Sequence, residues 1–205
     1  MARYAQGHKE ESRARLVDAL GRGFRKQGYG GSGVDGLARE AGVTHGAFYG
    51  HFRSKAEAFA AAVVAGLQDL RQGVESLRAE HGKNWLGVFA AFYMGYKRTC
   101  ELGDACTLPS LSAEIERADL AARTAYEGEL QRVMAAVAAG LPEGTQAERE
   151  ARAWVLLSLL AGGVTLARAV PDQATGEQIA AAVQQAVKML GGEGEGEGEG
   201  EGEGE

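Results

Sequence analysis

The segment Ser32–Lys55, SGVDGLAREAGVTHGAFYGHFRSK, constrains the fold more than any other part of the chain. Its apolar residues Val34, Leu37, Ala38, Ala41, Val43, Phe48 and Phe52 fall where two short helices must lock together across a glycine-containing turn. Ser32 followed three residues later by Asp35 fits a capping box, opening a helix through Ala41 with Gly42 just past its end. Thr44 is placed to cap a third short helix over His45–His51, and Ser54 to cap a fourth starting at Lys55. Upstream, Leu16, Leu20 and Phe24 recur every fourth residue within Ser12–Gln27, and Gly28–Gly33 ends that first helix. Such a hairpin is the layout of the DNA-binding helix-turn-helix, whose second helix enters the major groove. It is also the layout of ordinary helical hairpins in all-α proteins, and spacing alone does not separate the two.

The remainder reads as helix by the same test. The fourth helix is predicted to run to about Glu80, where His81-Gly82-Lys83 breaks it. Asn84 is then placed to cap a helix carrying the aromatic stripe Trp85, Phe89, Phe92, Tyr93 and Tyr96. After a break over Gly103–Pro109, helices are expected at Leu111–Arg117, Asp119–Leu141, Ala147–Val170 and Gly176–Leu190, the last preceded by a turn at Pro171–Thr175. With only 3 prolines and 7% aromatics, the chain is predicted to be all-α, with about nine helices and no strand.

The formal charge of −6 misrepresents the folded part, because Gly191–Glu205 is an alternating Gly-Glu tail holding seven glutamates. Such a tail has no apolar face and repels itself, so it is expected to be disordered. Without it the other 190 residues carry +1, divided into +4 over Met1–Glu57 and −3 over Ala58–Gly192. An anionic partner is therefore expected at the N-terminal end. Two cysteines are too few for a disulfide scaffold or a zinc ribbon. The first fifteen residues lack the apolar stretch of a signal peptide. The longest near-apolar run, Ala153–Ala167, is interrupted by Ser158, Gly162, Gly163 and Thr165 and reads as too short to span a bilayer. A cytoplasmic, reducing setting without membrane contact is the expectation.

Residues Arg13–Ala58 resemble the DNA-binding domain of TetR-type transcriptional repressors. The resemblance lies in the first helix ending F-x-x-x-G-Y (Phe24 to Tyr29), the run V-D-x-L-A-x-x-A-G-V (Val34–Val43) and T-x-G-x-F-Y-x-H-F-x-S-K (Thr44–Lys55). It implies a regulator, most simply a repressor, that binds palindromic double-stranded operator DNA as a homodimer and is released by a small apolar or aromatic effector. It divides the chain into a helix-turn-helix domain at 1–57, a ligand-binding and dimerisation domain at 58–190 and the tail at 191–205. By the same resemblance Ser32, Gly33 and Val34 lie beside the DNA backbone. Thr44, Tyr49, His51 and Lys55 contact phosphate, His45 reaches base edges, and Gly46 permits close backbone approach. Arg39 and Arg53 add non-specific attraction, while Phe48 and Phe52 are core. The chain departs from the pattern at Gly33, Gly36 and Gly50, which thins the set of base-reading side chains.

In the body, the resemblance turns part of the aromatic stripe into an effector cavity. Trp85, Phe89, Phe92, Tyr93, Tyr96, Cys106, Arg123, Tyr126 and Trp154 are the candidate ligand contacts, with Thr107 a further polar handle. The stretch around Cys106 resembles a branch with a G-C-hydrophobic-x-x-L-x-x-E signature, some members of which respond to electrophiles. Thiol sensing at Cys106 is thus an alternative to reversible binding, and an inert buried thiol is the plain structural reading. The apolar set Trp154, Leu156, Leu157, Leu159, Leu160, Val164 and Leu166 exceeds what one chain can bury and is expected to pair across a two-fold axis. A small helical enzyme is the competing class. No metal spacing, phosphate loop, nucleophile elbow or carboxylate pair supports it, and neither a cofactor nor a metal is expected.

Overall fold

The computed structural model describes residues 2–31 and 33–192, with side chains from Glu10 onward. Ser32 and the tail beyond Gly192 lie outside the described residues, and with them the expected Ser32 cap and the expected tail disorder. Regular structure among the described residues is helical throughout, as the patterning predicts: α1 (Ala2–Gly31), α2 (Val34–Glu40), α3 (His45–Tyr49), α4 (Lys55–His81), α5 (Trp85–Phe92), α6 (Thr107–Ile115), α7 (Leu120–Ala138), α8 (Gln146–Ala169) and α9 (Gln173–Leu190). Short 3₁₀ turns occupy Gly82–Asn84 and Leu102–Asp104, and a π turn continues α5 over Tyr93–Lys97.

Several element ends differ from the sequence expectation, each for a physical reason. α1 begins well before Ser12, in a stretch without an apolar stripe to announce it, and its helical path breaks at Gly28, whose φ is +71°. α2 is capped by Gly33, which has no side chain to bond its first turn, and the Asp35 carboxylate is engaged by His45. α3 stops at Tyr49, two residues short of the prediction. Asn84 makes no side-chain cap to α5, since the preceding 3₁₀ turn already leads the chain in. α6 starts at Thr107 and takes Pro109 into its first turn, where a missing N–H leaves nothing unpaired. α9 starts at Gln173, because Asp172 accepts a bond from the Thr175 N–H at 2.8 Å.

The chain forms two compact units, Met1–Gly73 with Thr99–Val133, and Val74–Arg98 with Met134–Glu205. In the first unit Leu20, Phe24, Leu37, Phe48, Phe52 and Phe59 are sealed from solvent together with Leu111 and Ile115 of α6. The unit holding the helix-turn-helix thus extends past residue 57. α1 is tied to the segment leading into α6. The Arg25 Nε–H donates to the Gly103 carbonyl at 2.8 Å, its guanidinium reaches Thr107 Oγ1 at 3.3 Å, and Arg22 pairs with Asp104. Burial pulls the Arg25 guanidinium below its ordinary value. Glu114 of α6 accepts the Tyr29 N–H on both carboxylate oxygens, at 2.9 and 2.8 Å, just after the Gly28 break. α4 approaches α6 at Gly66, where a Cβ would lie 2.0 Å from Thr107 Oγ1.

Glu129 of α7 is buried and takes hydrogen bonds from Arg71 at 2.9 Å and Arg132 at 2.7 Å. Burial alone would raise its carboxyl, but the two guanidinium groups outweigh that and hold it below the usual carboxylate range.

In the second unit α8 packs on α9, α9 on α5, and the π turn on both. Trp85, Phe89, Tyr93 and Met94 are buried with Leu156, Leu157, Leu160 and Val164 of α8. α8 approaches α9 closely at Gly163, where a Cβ would meet Val183 at 2.8 Å. The expectation for Ala153–Ala167 concerns that run alone; the whole of α8, Gln146–Ala169, is long and apolar enough to cross a membrane by length and composition only, a test that core helices also pass. One side of it is core, and Trp154, Val155 and Leu166 remain exposed.

Candidate nucleic-acid interface

The hairpin is built from the inside outward. Phe48 and Phe52 are buried with their rings 5.6 Å apart, and Leu37 and Ala38 of α2 close over them. The turn between α2 and α3 uses Gly42 at φ +66°, a conformation that side chains rarely adopt, and is fastened by the Val43 N–H donating to the Ala38 carbonyl at 2.9 Å. Thr44 then caps α3 as its sequence predicts, its Oγ1 accepting the Ala47 N–H at 3.1 Å. Ser54 does the same for α4, accepting the Glu57 N–H at 3.1 Å. With one face of α3 committed to the core, Thr44, His45, Gly46 and Tyr49 are left exposed together on the other.

The candidate contacts are not equivalent. Gly33 is exposed, whereas Val34 is half-buried against the core; Ser32 lies outside the described residues. Thr44 spends its acceptor on the cap but keeps a hydroxyl hydrogen to donate. His45 meets Asp35 through Nδ1, and its ring lies 4.9 Å from that of Tyr49. His51 is half-buried, its N–H donating to the Phe48 carbonyl at 3.0 Å. Lys55 points inward: its ammonium donates to the Tyr29 carbonyl and lies 4.4 Å above the Tyr29 ring, so it holds the end of α1 to the start of α4. Arg39 and Arg53 are exposed, and Arg13 lies 5.2 Å over the Phe52 ring. The Asp35–His45 contact joins residues ten positions apart on different helices, and helix-capping patterns do not reveal it.

The candidate ligand contacts separate by unit and by burial. The aromatic stripe divides by burial: Trp85 stacks on Phe89 at 6.1 Å and Phe89 meets Tyr93 at a tilt at 5.4 Å, all three buried, while Phe92 and Tyr96 stack on one another at 5.5 Å and are exposed. Trp85 donates its indole N–H to the Gly140 carbonyl at 2.9 Å and lines a cavity of about 870 Å³ with Arg78, Lys83 and Pro142. Trp154 is exposed on α8. In the other unit Cys106 is buried at the head of α6, Arg123 is exposed, and the Tyr126 hydroxyl lies 2.7 Å from Ser112 Oγ. Burial raises the Tyr126 phenol above its ordinary value. No group of three or more metal-ligating side chains occurs among the described residues.

Residues 16–62 match the family model for bacterial regulatory proteins of the tetR family. The HTH-type transcriptional regulator SrpR of Pseudomonas putida is 42% identical over 65 residues, which are 32% of this chain and 30% of that protein. Among solved structures, the reduced form of NemR from E. coli superposes with a TM-score of 0.71 at 20% identity, covering 85% of this chain and 96% of that one. A TetR-family regulator from Cytophaga hutchinsonii gives 0.70 at 17% identity, covering 87% and 94%. The sequence match thus spans less than a third of the curated relative, whereas the likeness of fold extends over most of the chain.

Proposed function

We propose that the chain, whose residues 16–62 match the family model for tetR-type bacterial regulatory proteins, is a cytoplasmic, ligand-responsive repressor binding palindromic operator DNA as a homodimer. The observation that carries the reading is the hairpin itself: α3 is pinned by Phe48 and the Thr44 cap, and it turns His45, Gly46 and Tyr49 outward together. A helix so fixed enters the major groove as a rigid body, with Tyr49 and the Thr44 hydroxyl on phosphates and His45 on base edges. Two copies, joined through the exposed apolar residues Trp154, Val155, Leu166 and Met189, would present two such helices to two half-sites.

Release requires an effector that binds better to a conformation with wrongly spaced reading helices. The bonds of Arg25 to Gly103 and Thr107, and of Glu114 to Tyr29, support a route from α6 to α1. Burial of Cys106 favours reversible occupancy over thiol capture.

An electrophoretic shift on DNA upstream of its own coding sequence tests the reading. The parent should retard this DNA at about 150 mM salt, and a small aromatic effector should release it. Tyr49→Ala should weaken binding to every sequence alike and leave the salt slope unchanged, since a neutral phenol releases no counterion. No preference for that DNA over random DNA would overturn the proposal.

A further inference from the structure

We propose that Asp35 is a specificity-determining positioning residue of the DNA-reading head, acting through His45. The inference rests on the DNA-binding reading above and adds to it a residue of α2 that touches no base. Asp35 Oδ1 lies within hydrogen-bond reach of His45 Nδ1, across the turn that joins α2 to α3. An ionised carboxylate has only acceptors, so the ring nitrogen facing it must carry a hydrogen. The two ring nitrogens point away from one another, so a ring held by Nδ1 turns Nε2 outward. The Tyr49 ring, 4.9 Å from that of His45, limits swinging on the other side. His45 is solvent-exposed and lies in the first turn of a five-residue helix, so its own backbone gives the side chain little restraint. Asp35 supplies that restraint, and with it a fixed edge for the major groove to read.

The charge of Asp35 makes the idea separable from the alternative. A carboxylate on a surface that meets phosphate weakens attraction to all DNA. If it did only that, removing it would tighten binding to every sequence in proportion. A positioning role predicts tighter binding to random DNA together with lost discrimination at one base pair.

The test measures affinities of the full-length parent, D35A, D35N, H45A and D35A/H45A for the operator, for operators changed at each base pair, and for random DNA. H45A should lose about five- to tenfold discrimination at one base pair in each half-site. D35A should lose it at the same pair, and the double variant should lose no more than H45A. D35N keeps an acceptor oxygen and should retain the discrimination. The proposal fails if D35A keeps full discrimination while binding all DNA more tightly, if its loss adds to that of H45A, or if D35N behaves as D35A does. A parent that does not distinguish operator from random DNA overturns the DNA-binding reading, and this inference with it. Circular dichroism melts exclude unfolding as the cause, since both side chains are exposed.

Discussion

Two glycines on α4 should respond to the same substitution with opposite sign. Within a helix, Gly→Ala gains about 1 kcal/mol from reduced backbone entropy in the unfolded chain. At Gly73 a Cβ meets nothing within 4 Å, so Gly73→Ala should realise that gain. At Gly66 the new Cβ would lie 2.0 Å from Thr107 Oγ1 and 2.7 Å from Thr107 Cβ. The second contact is to an atom fixed to the α6 backbone, which rotation of the Thr107 side chain cannot relieve. The helices must therefore part by several tenths of an ångström or more, a packing cost of about 1–3 kcal/mol and occasionally above that. Set against the propensity gain, that leaves about 0–2 kcal/mol, and contacts as close as 2.0 and 2.7 Å place Gly66→Ala in the upper half of the range, a loss of about 1–2 kcal/mol. For a chain of this size that is a fall of about 2–8 °C in Tm, while Gly73→Ala should raise Tm by about 2–4 °C. Thermal melts followed by far-ultraviolet circular dichroism measure both, and adding Thr107→Ala to Gly66→Ala should recover part of the loss. A Gly66→Ala protein as stable as the parent would mean that α4 and α6 are not in the contact described.

Two further substitutions probe the buried polar groups of the first unit. The Glu129 carboxyl is held low in the folded state, so its contribution is complete above the unfolded value of about 4.3 and is lost as pH falls through the lower folded one. Glu129→Gln should therefore be less stable than the parent at pH 7, with a difference that shrinks below about pH 5 in urea titrations; a constant difference would refute the assignment. Glu114→Ala leaves the Tyr29 N–H without its acceptor and should cost about 1–3 kcal/mol, with faster hydrogen exchange at that amide. Unchanged protection at Tyr29 would show that the bond does not hold the end of α1.

What could be read from the residues was whatever local chemistry decides. Thr44 and Ser54 cap their helices as expected, Gly42 ends α2, and Phe48 and Phe52 are core, because capping, positive φ and burial periodicity act within a few residues. Where a residue has a distant choice of partner, spacing does not show which it takes: Asp35 bonds His45, ten residues on, and Lys55 covers Tyr29. The aromatic stripe divides by burial: Trp85, Phe89 and Tyr93, each four residues from the next, are covered, while Phe92 and Tyr96, also four apart, are exposed, and helical spacing alone does not show how much of an apolar face its neighbours cover. The grip of α1 on residues 103–107 joins elements some eighty residues apart, a separation at which one sequence carries no pairing signal.

Trp85 and Trp154 are the chain's 2 tryptophans, and both fall in the second unit. Intrinsic emission excited selectively in the indoles is therefore blind to the hairpin, whose rings are phenylalanine, tyrosine and histidine. Trp85, 2% exposed with its N–H on the Gly140 carbonyl, supplies a blue, quencher-resistant component. Trp154, at 38% exposure on α8, supplies a redder one that iodide or acrylamide can reach. Subunit association through α8 would shield only the second emitter, so dilution separates assembly from unfolding without any label, and a fluorophore placed near Tyr49 would give the missing channel for the other unit.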